Sequence, residues 1–227
     1  GTPFHAAFVR GALAVPDADL AAALYETTQD VLAAAGLPAY EISHHARPGA
    51  ECRHNLTYWR CGEYIGIGPG AHGRLRLGGR RVATEQRRAP ESWLAAVEAK
   101  GHATRARAAL GLDECRDEML MMGLRLTEGV SRARFRRAIG KDFEAALEVD
   151  RLGRLTTGGF LALDPEGLRA TPAGRQRLNA VLAGTDAPAP VAVQAKAPQD
   201  EPAGWRIGFT PAPSLFMSGN DPLRIIR

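Results

Sequence analysis

An α/β fold with a smaller helical, winged-helix-like module on its C-terminal side is what this sequence predicts, on three observations. A helix-periodic stretch closed by Gly36 and Pro38 runs directly into residues that alternate like a strand, the αβ half of a barrel or doubly wound unit. Gly78-Gly79 sits between two strand-like runs and permits positive φ at both positions, which suits a tight hairpin. Further along, several short helical patterns precede two apolar runs bracketing Asp164-Pro165-Glu166-Gly167, a turn sequence that makes a wing. With 227 residues, 45% of them apolar, the chain has material for one large or two small domains.

Taken in order, Asp17 is the expected N-cap of a first helix carrying Leu20, Leu24, Val31 and Leu32. Residues 39–43 and 63–67 read as short strands, the second ending in a glycine-rich turn. The hairpin around Gly78-Gly79 is followed by a helix over residues 90–100 with Trp93, Leu94 and Val97 on one face. The pattern weakens across residues 101–111, which sets a domain boundary near residue 106. Beyond it, Asp113 is the expected cap of a helix with Met119, Leu120, Met122 and Leu126. Ser131 is expected to cap a second helix with Phe135 and Ile139, and a third runs near residues 143–152. Runs at residues 155–163 and 168–170 form the wing, and Thr171-Pro172 opens a last helix with a cap and a proline at its first position. The second domain thus spans 107–185, and the Ala- and Pro-rich residues 186–227 are expected to be disordered.

Composition narrows the function classes. The longest apolar helical stretch is broken by Glu26, Gln29 and Asp30, short of the roughly 20 apolar residues of a membrane span, and no secretory signal pattern is present. Three cysteines without a CxxC pair argue against a disulfide framework or a self-contained zinc site, and favour a reducing, cytoplasmic setting. Each thiol, like Met119, Met121 and Met122, is read as packing material rather than a metal ligand. A net charge of +4 is concentrated in basic runs at 74–81 and 132–137, which suit anions such as nucleic acid, lipid head groups or carboxylated porphyrins. The second run reads as a solvated helix face. A DNA-binding winged helix would account for it but leaves residues 41–73 unexplained, so nucleic acid is not an expected partner.

Residues 41–73 carry four of the six histidines with two cysteines and three large aromatics. Imidazole is the usual axial ligand of heme iron, and Tyr or Trp packs on a porphyrin face. Within the stretch His54-Asn55-Leu56-Thr57-Tyr58 reads as extended or loop, which puts His54 and Tyr58 on one side, His54 toward iron and Tyr58 toward a macrocycle. The alternative, in which His54 and Asn55 only hydrogen-bond the end of the sheet, stays open. Gly66-Ile67-Gly68-Pro69-Gly70-Ala71-His72-Gly73 contains a GxGxxG, yet Pro69 and the hairpin that follows do not suit a dinucleotide fingerprint. Its glycines would admit a flat ligand such as adenine to the backbone, or make a tight turn with none. His44 and His45, adjacent in a strand, point to opposite faces and are read as surface histidines.

The blocks YEISHHARPGAECRHNLTYW, EYIGIGPGAHGRL, ATEQRRAPESWL, DEMLMMGLRLTEGV and GLRATPAGRQRLN, in this order, resemble those of the HemW family of heme chaperones, within the coproporphyrinogen-oxidase-like radical-SAM group. The resemblance implies the C-terminal part of a radical-SAM (β/α) partial TIM-like barrel followed by a small helical domain. It implies heme contact by His54, Asn55 and Tyr58, with His54 as iron ligand, and S-adenosylmethionine contact by Gly66, Gly68 and His72. It also implies a [4Fe–4S] cluster, whose CxxxCxxC ligands do not occur in these 227 residues, so this chain alone is not expected to run radical chemistry. The function implied is heme binding and delivery. The alternative is oxygen-independent oxidative decarboxylation of coproporphyrinogen III, in which an axial ligand such as His54 has no evident task. Expected partners are heme, acceptor hemoproteins and the cytoplasmic membrane face, with a homodimer left open.

Overall fold

A computed structural model describes residues 3–184. After a short helix α1 (Pro3–Val9), α2 (Ala18–Ala34) begins where Asp17 accepts a hydrogen bond from the Leu20 N–H at 2.8 Å, the expected cap, and ends as Gly36 turns to φ 75°. No residue of α2 is buried. The two expected strands that follow are reduced to single bridges, Ala39 with His45 and Glu41 with Leu126 in the first, and Tyr64 with Arg74 in the second.

A correction falls between them. The His54–Tyr58 segment is not extended; it forms α3 (Arg53–Trp59), a two-turn helix with no side-chain cap at Cys52. Two strands, β1 (His72–Leu77) and β2 (Arg80–Gln86), then make the expected hairpin, Leu77 pairing Arg80 across Gly78 (φ 56°) and Gly79 (φ 79°). Helix α4 (Pro90–Lys100) takes its bounds from Pro90 at the first turn and Gly101 at φ 75°. Strand β3 (Thr104–Ala109) pairs antiparallel with β2 and completes a three-stranded sheet in order β1-β2-β3. Residues 104–109 gave no strand signal because five of the six are exposed, so no apolar alternation is imposed on them.

Helix α5 (Leu112–Gly123) starts earlier than expected. Gly111 is the N-cap, with its N–H held at 2.7 Å by the Glu114 carboxylate, while Asp113 lies in the first turn and pairs with Arg116 instead. Strand β4 (Val130–Ser131) leads into α6 (Arg132–Ile139), which Ser131 caps through the Arg134 N–H. The single helix expected near 143–152 is two, α7 (Phe143–Ala146) and α8 (Val149–Thr157). The wing is β5 (Leu161–Leu163) and β6 (Gly167–Ala170), shorter than expected because residues 155–157 finish α8. Thr171 caps α9 (Pro172–Gln176), and α10 (Leu178–Ala183) follows. The second sheet is antiparallel in order β4-β6-β5.

The core lies in this second half. Phe135 and Phe143, both fully buried, stack with centroids 4.1 Å apart, and Leu120, Leu124, Val130, Leu168 and Val181 close around them. Met119 and Met121 join this core, as expected of packing residues. Three of the four arginines of α6 are engaged rather than merely solvated. Arg132 bonds both Glu144 oxygens, Arg136 bonds Asp142, and Arg134 approaches Glu128 at 3.8 Å. Residues 186–227, expected to be disordered, lie outside the described residues.

Candidate functional site

The helical form of α3 keeps His54 and Tyr58 together by a different periodicity. Residues four apart are neighbours on a helix face, and the two rings meet edge to face with centroids 4.6 Å apart and planes at 88°. Tyr64, arriving on the following segment, meets Tyr58 the same way at 4.5 Å. His54, Tyr58 and Tyr64 thus form an aromatic ladder, with His54 exposed at its outer end. No hydrogen bond among the described residues ties the His54 ring. Burial raises the pKa of Tyr58, and that of Tyr64 against the opposing pull of Arg74, so both phenols stay protonated and can donate. Asn55 turns to the other flank and donates to the Tyr40 hydroxyl at 3.4 Å. Sequence spacing joined His54 to Tyr58; Tyr64 joins them only through tertiary structure.

The glycine-rich segment is shaped by its own chain. A Cβ on Gly66 would lie 2.3 Å from the His72 carbonyl oxygen, and one on Gly73 would lie 2.5 Å from Thr84 Oγ1. Gly68 holds φ 102° and Gly70 φ 70°. His72 opens β1; partial desolvation, which Glu85 only partly offsets, lowers its pKa and favours the neutral imidazole.

Between these features sits a network that residue spacing did not reveal. Glu41 is fully buried and its carboxylate accepts from Ser43 N (2.7 Å), Ser43 Oγ (2.9 Å) and His44 Nδ1 (2.8 Å). Arg125, from the turn after α5, adds bonds at 3.2 and 3.1 Å and lies 4.6 Å over the Trp59 ring of α3. Burial alone would raise the Glu41 pKa, but the bonds from His44, Ser43 and Arg125 win and hold it below the ordinary carboxyl value. His44 and His45 are therefore half-buried structural groups, bound to Glu41 and to Gln29 (3.3 Å), rather than surface histidines.

Comparison with known proteins decides the family. Residues 111–177 match the HemN C-terminal domain. "Radical S-adenosyl methionine domain-containing protein 1, mitochondrial" of Mus musculus is 41% identical over 191 residues, covering 80% of this chain and 42% of the relative. "Heme chaperone HemW" of Mycobacterium tuberculosis is 35% identical over 182 residues, covering 80% of this chain and 43% of its own. The chain belongs to the HemN/HemW radical-SAM family. A solved coproporphyrinogen III oxidase (HemN) from Escherichia coli, titled a radical SAM enzyme, superposes with TM-score 0.52 over 70% of this chain and 39% of its own. At 18% identity that likeness supports the mixed α/β fold alone. The chain spans less than half the length of these HemN/HemW relatives.

The cofactors associated with the HemN/HemW family fit these residues unequally. An exposed imidazole beside a protonated phenol suits heme iron. A [4Fe–4S] cluster does not fit: Cys52 is exposed, the Cys61 thiol is pushed by burial up to about 11, and no group of three metal-ligating side chains gathers among the described residues. No described helix is long and apolar enough to cross a membrane.

Proposed function

We propose that the protein containing this chain binds heme and passes it to acceptor hemoproteins. The observation that carries this reading is the exposed His54 imidazole, untied by hydrogen bonds among the described residues and backed by the Tyr58 and Tyr64 rings. Bound there, heme would offer an open iron to His54; Tyr58 would hold the ring edge of His54 in place, and Asn55, bonded to Tyr40, would anchor α3. Several relatives are named heme chaperones, which supports the reading. S-adenosylmethionine belongs to the same proposal, with the turn at Gly66 and Gly68 and the neutral His72 beside its adenosyl end. The cluster's ligands are placed outside this chain. Acceptor hemoproteins, the cytoplasmic membrane face and a homodimer complete the proposed partners.

Titration of the protein with hemin tests it. His54→Ala should weaken binding by about tenfold or more and change the Soret band, whereas Asn55→Ala should cost less. Unchanged binding by His54→Ala would remove His54 from the site. Anaerobic turnover of coproporphyrinogen III by the cluster-loaded protein would favour the oxidase reading instead.

A further inference from the structure

The two basic runs of the sequence meet across one cleft. The hairpin of β1 and β2 supplies Arg76 and Arg80, α6 supplies Arg137, and the space between them, floored by Leu75, Leu112 and Met119, has a volume of about 730 Å³. That is within the range of small-molecule pockets, roughly 300–1,000 Å³. Six arginines line it against one carboxylate, Glu63, which accepts from the backbone N–H of Arg76 at 2.9 Å.

Three of these arginines are already committed. Arg60 and Arg134 share Glu128, and Arg81 bonds Glu118 and the Cys61 carbonyl. Arg76, Arg80 and Arg137 have no carboxylate within 4.0 Å among the described residues, and all three are exposed. Like charges gathered in one concavity repel one another and draw in an anion. A guanidinium matches a carboxylate by two parallel hydrogen bonds, and the apolar floor favours a ligand with a hydrophobic body over a bare inorganic ion.

We infer that this cleft binds an amphipathic dicarboxylate, a small molecule with a rigid apolar body and two carboxylate groups. Arg80 and Arg137 hold the carboxylates from opposite walls, and Leu75, Leu112 and Met119 cover the body. His54, Asn55 and Tyr58 do not line the cleft, so it is a second site beside the aromatic ladder. Choosing a porphyrin with two propionates as its ligand rests on the heme reading above; the geometry of the cleft does not.

Fluorescence titration of the full chain with metal-free protoporphyrin IX, and separately with its uncharged dimethyl ester, separates the two readings, since a ring without iron has no use for an axial ligand. The diacid should bind about tenfold tighter than the ester, and Arg80→Ala/Arg137→Ala should lose about tenfold for the diacid alone. Neither arginine holds an ion pair among the described residues, so the double variant should melt like the parent. His54→Ala should bind the diacid as the parent does, even where it fails with hemin. The inference is overturned if the diacid does not bind, or if acid and ester bind equally. Two further results would also overturn it: an equal loss in Arg154→Ala/Arg177→Ala, remote from the cleft, or a loss for the diacid in His54→Ala.

Discussion

Glu41 shows how much a single side chain decides here. A carboxylate with no exposed surface persists only because five hydrogen bonds and the Arg125 charge replace its water. Arg125→Ala leaves that charge buried and unpaired, and should cost roughly 3–5 kcal/mol, read as a lower denaturant midpoint at pH 7. Glu41 has its folded pKa depressed, so its contribution is complete above the ordinary carboxyl value of 4.5 and is lost as pH falls through the lower folded value. Glu41→Gln should therefore be less stable than the parent at pH 7, with the gap narrowing below about pH 4.5. A gap that stays constant down to pH 3 would mean that the charge contributes nothing.

Among the elements, what is local was legible and what is long-range was not. The caps at Asp17, Ser131 and Thr171, the start at Pro90 and the stop at Gly101 act within one turn of the residues that carry them, so α2, α4, α6 and α9 follow from the sequence. Helix α3 escaped because His, Asn, Thr, Tyr and Trp are indifferent helix formers and Cys52 offers no cap; Arg125 over Trp59 and Tyr64 against Tyr58 hold it from outside. The pairing of His54 with Tyr58 was still foreseen, since residues four apart share a side in an extended chain and in a helix alike. Glu41 with Arg125 joins residues 84 positions apart, and no spacing rule reaches that far.

Glycines divide along the same line. Gly66→Ala would drive a Cβ against the His72 backbone, which cannot swing aside like a side chain, and should destabilise the protein by about 1–3 kcal/mol. Gly153, inside α8 with nothing within 4 Å of where a Cβ would stand, should accept alanine and gain about 0.5–1 kcal/mol. Thermal melts of the two variants should thus shift in opposite directions; a neutral Gly66→Ala would show that the β1 entry yields easily.

Across the whole molecule, burial is uneven. Every residue of the main core lies between Met119 and Leu182, while Leu20, Leu24 and Val31 of α2 remain 52, 51 and 61% exposed. Leu20, Leu24 and Val31 fall on one helix face, so α2 presents an apolar stripe that nothing among the described residues covers. Its tethers are polar and few: Gln29 to the Ile42 carbonyl and to His45, and Gln176 to Glu26. Such an element opens at a small fraction of the global free energy, because each amide needs only local unfolding to meet solvent. Hydrogen exchange on this chain should therefore exhaust the amides of α1 and α2 well before those of α5, α6 and β6, and limited proteolysis should cut ahead of Pro38 first. In a longer protein that lays another element on the Leu20 face, the same amides should become protected while those of α5 and α6 change little. Equal protection of α2 and α5 in the 227-residue chain would show that the stripe is already covered, and would relocate the weak point of the fold.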